Sequence, residues 1–95
     1  LAKTYMMVVL TYDISQARTR RKVAKALEES MVRVQKSVFE ARIEIRAANA
    51  LFDLTQDILE EGDTIRMYVL TRKGLKKSRA SGGAPFPEEA SFWLL

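Results

Sequence analysis

The sequence predicts an α+β domain with the element order β-α-β-β-α-β, and three observations carry that expectation. An apolar run, Met6-Met7-Val8-Val9-Leu10-Thr11-Tyr12-Asp13, alternates with no side built for water, as a central strand does. Two later stretches, near 16–30 and 46–61, space their apolar residues for helices. Between them and after them lie β-branched and aromatic segments without helical period.

Each element can be justified in order. The first strand places Met6, Val8, Leu10 and Tyr12 on one face and Met7, Val9, Thr11 and Asp13 on the other. It ends on a carboxylate, the position where α/β folds tend to place chemistry. Ser15 is the expected N-cap of a helix from about Gln16 to Ser30. Ala17, Ala24, Leu27 and Met31 face the core with Val23 beside them, and Arg18, Arg21, Lys22 and Lys25 form the opposite stripe. That stripe is either solvated surface or a phosphate contact. The second reading is favoured because no acid interrupts it and a helix N-terminus attracts anions.

Val32 to Ile43 reads as two short strands broken near Gln35 to Ser37, with Phe39, Ala41 and Ile43 on one face and Val38, Glu40 and Arg42 on the other. A second helix is expected from about Arg46 to Glu61. Its inward residues are Ala47, Ala50, Leu51, Leu54 and Ile58, its outward ones Asp53, Asp57, Glu60 and Glu61, and Gly62 is its C-cap. Thr64 to Leu70 alternates as a last regular strand. With right-handed crossovers this order is the ferredoxin-like split βαβ, an antiparallel sheet with both helices on one face. The other face is left bare although the first strand is apolar on both sides, so a second copy stacked face to face is expected to cover it.

The 95 residues make one small domain, 1–95, with its core in 6–70. A basic Gly/Pro linker spans 71–90, and the apolar Ser91-Phe92-Trp93-Leu94-Leu95 is expected to add a C-terminal strand, 91–95, to a sheet edge of the other subunit. Leu1 to Tyr5 are set aside from the fold reading.

The net charge of +4 is unevenly spread. Residues 16–25 and 72–79 each hold five bases and no acid, while 53–63 hold five acids and no base, which suggests a polyanion partner on one side. With neither Cys nor His in the chain, disulfides, thiol nucleophiles and imidazole bases are excluded, leaving carboxylate and metal chemistry. No apolar run approaches the roughly 20 residues that span a bilayer, and Leu1 to Tyr5 lack the form of a signal peptide. The expectation is a cytoplasmic protein with no membrane contact.

Three features resemble the CRISPR-associated protein 2 family, the small dimeric nuclease-like subunit of the spacer-acquisition machinery. They are Tyr12-Asp13-Ile14-Ser15 at the end of the first strand, the basic start of the first helix through Arg20 and Lys22, and Arg33-Val34-Gln35-Lys36-Ser37-Val38-Phe39-Glu40. The last is a specific signature; Tyr-Asp after an apolar strand is weak alone. The resemblance covers Met6 to Leu70 and implies a homodimer in which Asp13 of both chains binds one divalent metal, Mg²⁺ or another such as Mn²⁺. It implies supporting roles for Tyr12 and Ser37 in catalysis and for Arg20, Lys22, Arg33 and Phe39 on nucleic acid, beside Arg18, Arg21 and Lys25 of the stripe. Lys22 stands where the family often has arginine, which weakens bidentate phosphate contact but not charge.

The function so implied is metal-dependent endonucleolytic hydrolysis of RNA or DNA in spacer acquisition and antiviral defence. The alternative is a non-catalytic DNA-binding adaptor that bridges copies of a CRISPR-associated integrase subunit. An RNA-recognition module on the same fold is disfavoured, because the first strand offers only Tyr12 for base stacking. On the residues alone, Asp13 also reads as a cap or loop residue, Phe39 as core filler, and Arg33 and Gln35 as exposed strand positions.

Overall fold

The computed structural model describes residues 4–83. Its elements are β1 (Tyr5–Asp13), α1 (Ala17–Glu28), β2 (Val32–Gln35), β3 (Val38–Glu44), α2 (Ile45–Ile58), β4 (Thr64–Leu70) and a short α3 (Arg72–Lys77). The four strands form one sheet in the order β2-β3-β1-β4, with every neighbouring pair antiparallel. The expected βαββαβ order and the central place of the first strand are both found. β1 starts one residue earlier than expected, at Tyr5.

The core lies between the sheet and the two long helices. Val8, Leu10 and Tyr12 of β1 and Phe39 and Ala41 of β3 meet Val23, Ala24 and Leu27 of α1 and Ala48 of α2. Apolar burial of this kind contributes about 25 cal/mol per Å² removed from water, and it is what holds short helices of this length in place.

Both helix faces differ in detail from the sequence reading. In α1 the buried set is Thr19, Val23, Ala24 and Leu27, whereas Ala17 is exposed because it opens the helix at the sheet's rim. The N-cap is Gln16, not Ser15, and it makes no side-chain cap bond. In α2 the buried residues are Ala48 and Thr55, with Leu51 and Phe52 partly covered, while Ala47, Ala50 and Leu54 are exposed. Thr55 tolerates full burial because its hydroxyl donates to the Leu51 carbonyl at 2.8 Å. The expected face was phased on alanines, which fit either side of a helix. α2 also ends earlier, and Gly62 sits beyond it in the turn to β4 with φ of +90°. That left-handed backbone is the one glycine adopts without strain.

The opposite sheet face is covered in part by the same chain. Where a linker was expected from residue 71, Thr71 caps α3 by accepting from the Gly74 N–H at 3.1 Å. Leu75 of that helix and Leu70 line a narrow cleft with Met7, which is only 2% exposed. The expected C-terminal strand at 91–95 lies outside the described residues. No helix among the described residues is long and apolar enough to cross a membrane.

Candidate nucleic-acid and phosphodiester site

A cleft of about 500 Å³ opens where β1 ends against the start of α1 and the β2–β3 turn. Tyr12, Asp13, Ile14, Ala17, Arg20, Arg21, Arg33, Lys36 and Ser37 line it. Asp13 is its one acid and is exposed; four cations surround it. A cleft with that balance attracts a polyanion and leaves one carboxylate for a cation or a water.

The walls are built from the strand end outward. Tyr12 is the last inward residue of β1, and it grips the β2–β3 turn twice: its N–H donates to the Ser37 carbonyl at 3.1 Å and its hydroxyl to the Lys36 carbonyl at 3.2 Å. This places Lys36 and Ser37 beside Asp13. The phenol ring stacks on Phe39 with centroids 6.1 Å apart. Burial raises the Tyr12 pKa, opposed by the charges of Arg33 and Arg20 and reinforced by Glu28. The phenol therefore stays protonated at neutral pH and acts as a donor to the turn, not as a base.

Arg20 folds back onto the loop after β1. One of its terminal nitrogens donates to the carbonyls of Ile14 at 2.9 Å and Ser15 at 2.8 Å. Three of its five N–H donors are left for a phosphate. Arg33 is held from two sides, by an ion pair with Glu28 at 3.1 Å and by the Phe39 ring, whose centroid lies 5.2 Å below its guanidinium. The pair is exposed enough to contribute little stability, and it orients the arginine.

The expected residues do not all converge here. Phe39 has no exposed surface, so it cannot touch nucleic acid and serves as the platform beneath Arg33. Arg18 and Lys22 open instead onto a separate, smaller cleft of about 260 Å³ with Gln16, Thr19, Ile58 and Glu60. Helix geometry accounts for the split: at about 100° per residue, positions 20 and 22 point to nearly opposite sides. Lys25 is exposed farther along α1. Lys36 is the site residue that sequence reasoning missed as such. It stood within the quoted signature, and the turn geometry assigns it to the cleft.

Comparison with known proteins fits this geometry. The family model described as CRISPR associated protein Cas2 matches residues 6–78. The chain is 36% identical over 85 residues to the CRISPR-associated endoribonuclease Cas2 1 of Chloroflexus aurantiacus, covering 87% of this chain and 91% of that protein. Among solved structures it resembles Streptococcus pyogenes Cas2, with a TM-score of 0.69, 30% identity, and coverage of 81% of this chain and all of that one. It also resembles a chain of a partial Cas6-RT-Cas1–Cas2 complex, with a TM-score of 0.64, 28% identity and coverage of 87% and 98%.

Proposed function

Because the chain belongs to the CRISPR-associated protein Cas2 family, we propose that it is a metal-dependent endonuclease of spacer acquisition and antiviral defence. It hydrolyses phosphodiester bonds of RNA, with DNA as the second substrate to test, and works in the cytoplasm. The observation that carries this reading is Asp13, a lone exposed acid at the end of the central strand, facing four cations across one cleft. The endoribonuclease name of the Chloroflexus relative supports it.

No group of three or more potential ligands clusters among the described residues. One carboxylate fits a hard cation that keeps most of its waters and takes further oxygens from a phosphate, as Mg²⁺ or Mn²⁺ does. We assign Asp13 of each of two copies as its protein ligands. When bound, such a cation acidifies a water and neutralises charge on the phosphodiester. The chain's own groups do the rest. Arg21, Arg33 and Lys36 hold the phosphate oxygens, the Ser37 hydroxyl offers a further donor, and Arg20 keeps the Asp13 loop in place.

The homodimer this requires would bury the part of the sheet that α3 leaves open, where Tyr68 and Val32 are about half exposed. An integrase partner is supported by likeness to a chain of the Cas1–Cas2 complex. The test is cleavage of single-stranded RNA and duplex DNA, in Mg²⁺ or chelator, by wild type and Asp13→Ala. The variant should bind at least as well, since it loses a negative charge among cations, and should not cleave. Cleavage by Asp13→Ala at the wild-type rate, with contaminating nuclease excluded, refutes the assignment. A wild-type protein that binds duplex DNA and cleaves neither substrate is instead the adaptor that bridges integrase copies.

A further inference from the structure

Asp13 is followed by two residues that are held from opposite sides. Ile14 is buried, and the carbonyls of Ile14 and Ser15 are taken by Arg20. The Ser15 N–H is taken by Asp63, whose Oδ1 accepts it at 3.2 Å across 48 positions of sequence. The other oxygen of the same carboxylate, Oδ2, accepts the Glu60 N–H at 3.0 Å, and the Asp63 N–H returns a bond to the Glu60 carbonyl at 3.0 Å. Glu60 in turn accepts the hydroxyl of Thr19, a buried residue in the first turn of α1. The turn from Glu60 to Asp63, folded back by the positive φ of Gly62, thus reaches the segment after Asp13 at two points.

Asp63 does not line the Asp13 cleft, so it touches nothing that would react there. We propose that Asp63 is a positioning residue: its carboxylate bridges the Ser15 and Glu60 amides and so fixes the direction in which Asp13 enters the cleft. This rests on the reading of Asp13 as the metal-binding acid. The residue type follows from the donors. Two N–H groups need two acceptors, which a carboxylate has, whereas an asparagine would aim its NH₂ at one of them.

The experiment compares full-length wild type, Asp63→Asn, and Leu51→Ala as a control in α2 away from the cleft, with all three followed for thermal stability. In Asp63→Asn the Ser15 amide should exchange at least about tenfold faster, and the NMR order parameters of Asp13 to Ser15 should fall. With Mg²⁺ and RNA, kcat should drop at least about tenfold at unchanged KM, the signature of misplacement rather than lost binding. Leu51→Ala should lower stability with kcat unchanged. Ser15 exchange and Asp13 order equal to wild type overturn the proposal, as does a kcat loss no greater than in Leu51→Ala. The NMR readouts need neither metal nor cleavage. If wild type does not cleave at all, the nuclease reading fails while these readouts still decide whether Asp63 orders the loop.

Discussion

Replacing Phe39 by leucine separates a platform from a contact surface. The ring has no exposed area, stacks on Tyr12 at 6.1 Å and lies 5.2 Å beneath the Arg33 guanidinium. Aromatic pairs contribute about 0.5–1.5 kcal/mol beyond burial, and a cation–π contact with an exposed arginine about 0.5–1 kcal/mol. Leucine keeps most of the apolar contact and loses both, so the expected destabilisation is about 1–2.5 kcal/mol. Against a typical stability of about 5–15 kcal/mol, this leaves a folded protein. Alanine, at about 3–5 kcal/mol, approaches the lower end of that range. Urea denaturation at fixed protein concentration reads the loss as a lower midpoint with unchanged m. A double-mutant cycle with Arg33→Met should recover about 0.5–1 kcal/mol of coupling. Were Phe39 instead a stacking surface for bases, its loss would weaken single-stranded RNA binding by about 1–3 kcal/mol. Stability within about 0.5 kcal/mol of wild type together with such a binding loss would refute the platform.

The two faces of α1 should behave differently on nucleic acid. Arg18→Ala with Lys22→Ala should flatten log K against log salt for duplex DNA by up to about two units per chain and leave kcat unchanged, while Arg21→Ala with Arg33→Ala should lower kcat as well. Burial raises the Glu40 carboxyl above its ordinary value near 4.5, so its charged form costs stability in the fold. That contribution is most favourable below the unfolded value and is lost as pH rises through the folded one. Glu40→Gln should therefore raise the urea midpoint relative to wild type at pH 7 and lose that gain below pH 4. Gly62→Ala, strained by a φ of +90° with no neighbour to clash with, should cost about 1–2 kcal/mol by the same measurement.

Element order and sheet topology were legible because strand alternation and helical period are local signals, and β1 carried both apolar faces in its composition. The phase of α2 was not. Its six apolar residues from Ala47 to Leu54 ring the helix, and only contact with α1, β1, β3 and β4 selects Ala48 and Thr55 for burial. Asp13 was found as the carboxylate that ends the first strand and Arg33 and Ser37 through the signature, and the fold brings them to one cleft. Arg18 and Lys22 were expected on nucleic acid from their shared basic helix face, and Lys22 also from the resemblance, yet they line a separate cleft. Asp63 gave no signal. It lay in the acidic run 53–63, where nothing local sets it apart, and its contact with the Ser15 N–H spans 48 positions.

The pairing of Asp13 with Thr64 at the far end of β1 has a consequence for synthesis. The central strand is made before both of its sheet neighbours, β3 and β4, which come later in the chain. Such non-local pairing must wait for loop closure. A nascent chain that stops short of residue 64 carries Asp13 and the α1 cations without the edge strand and turn that set their geometry. The order of translation thus leaves Asp13 without its β4 neighbour until Thr64 has been made.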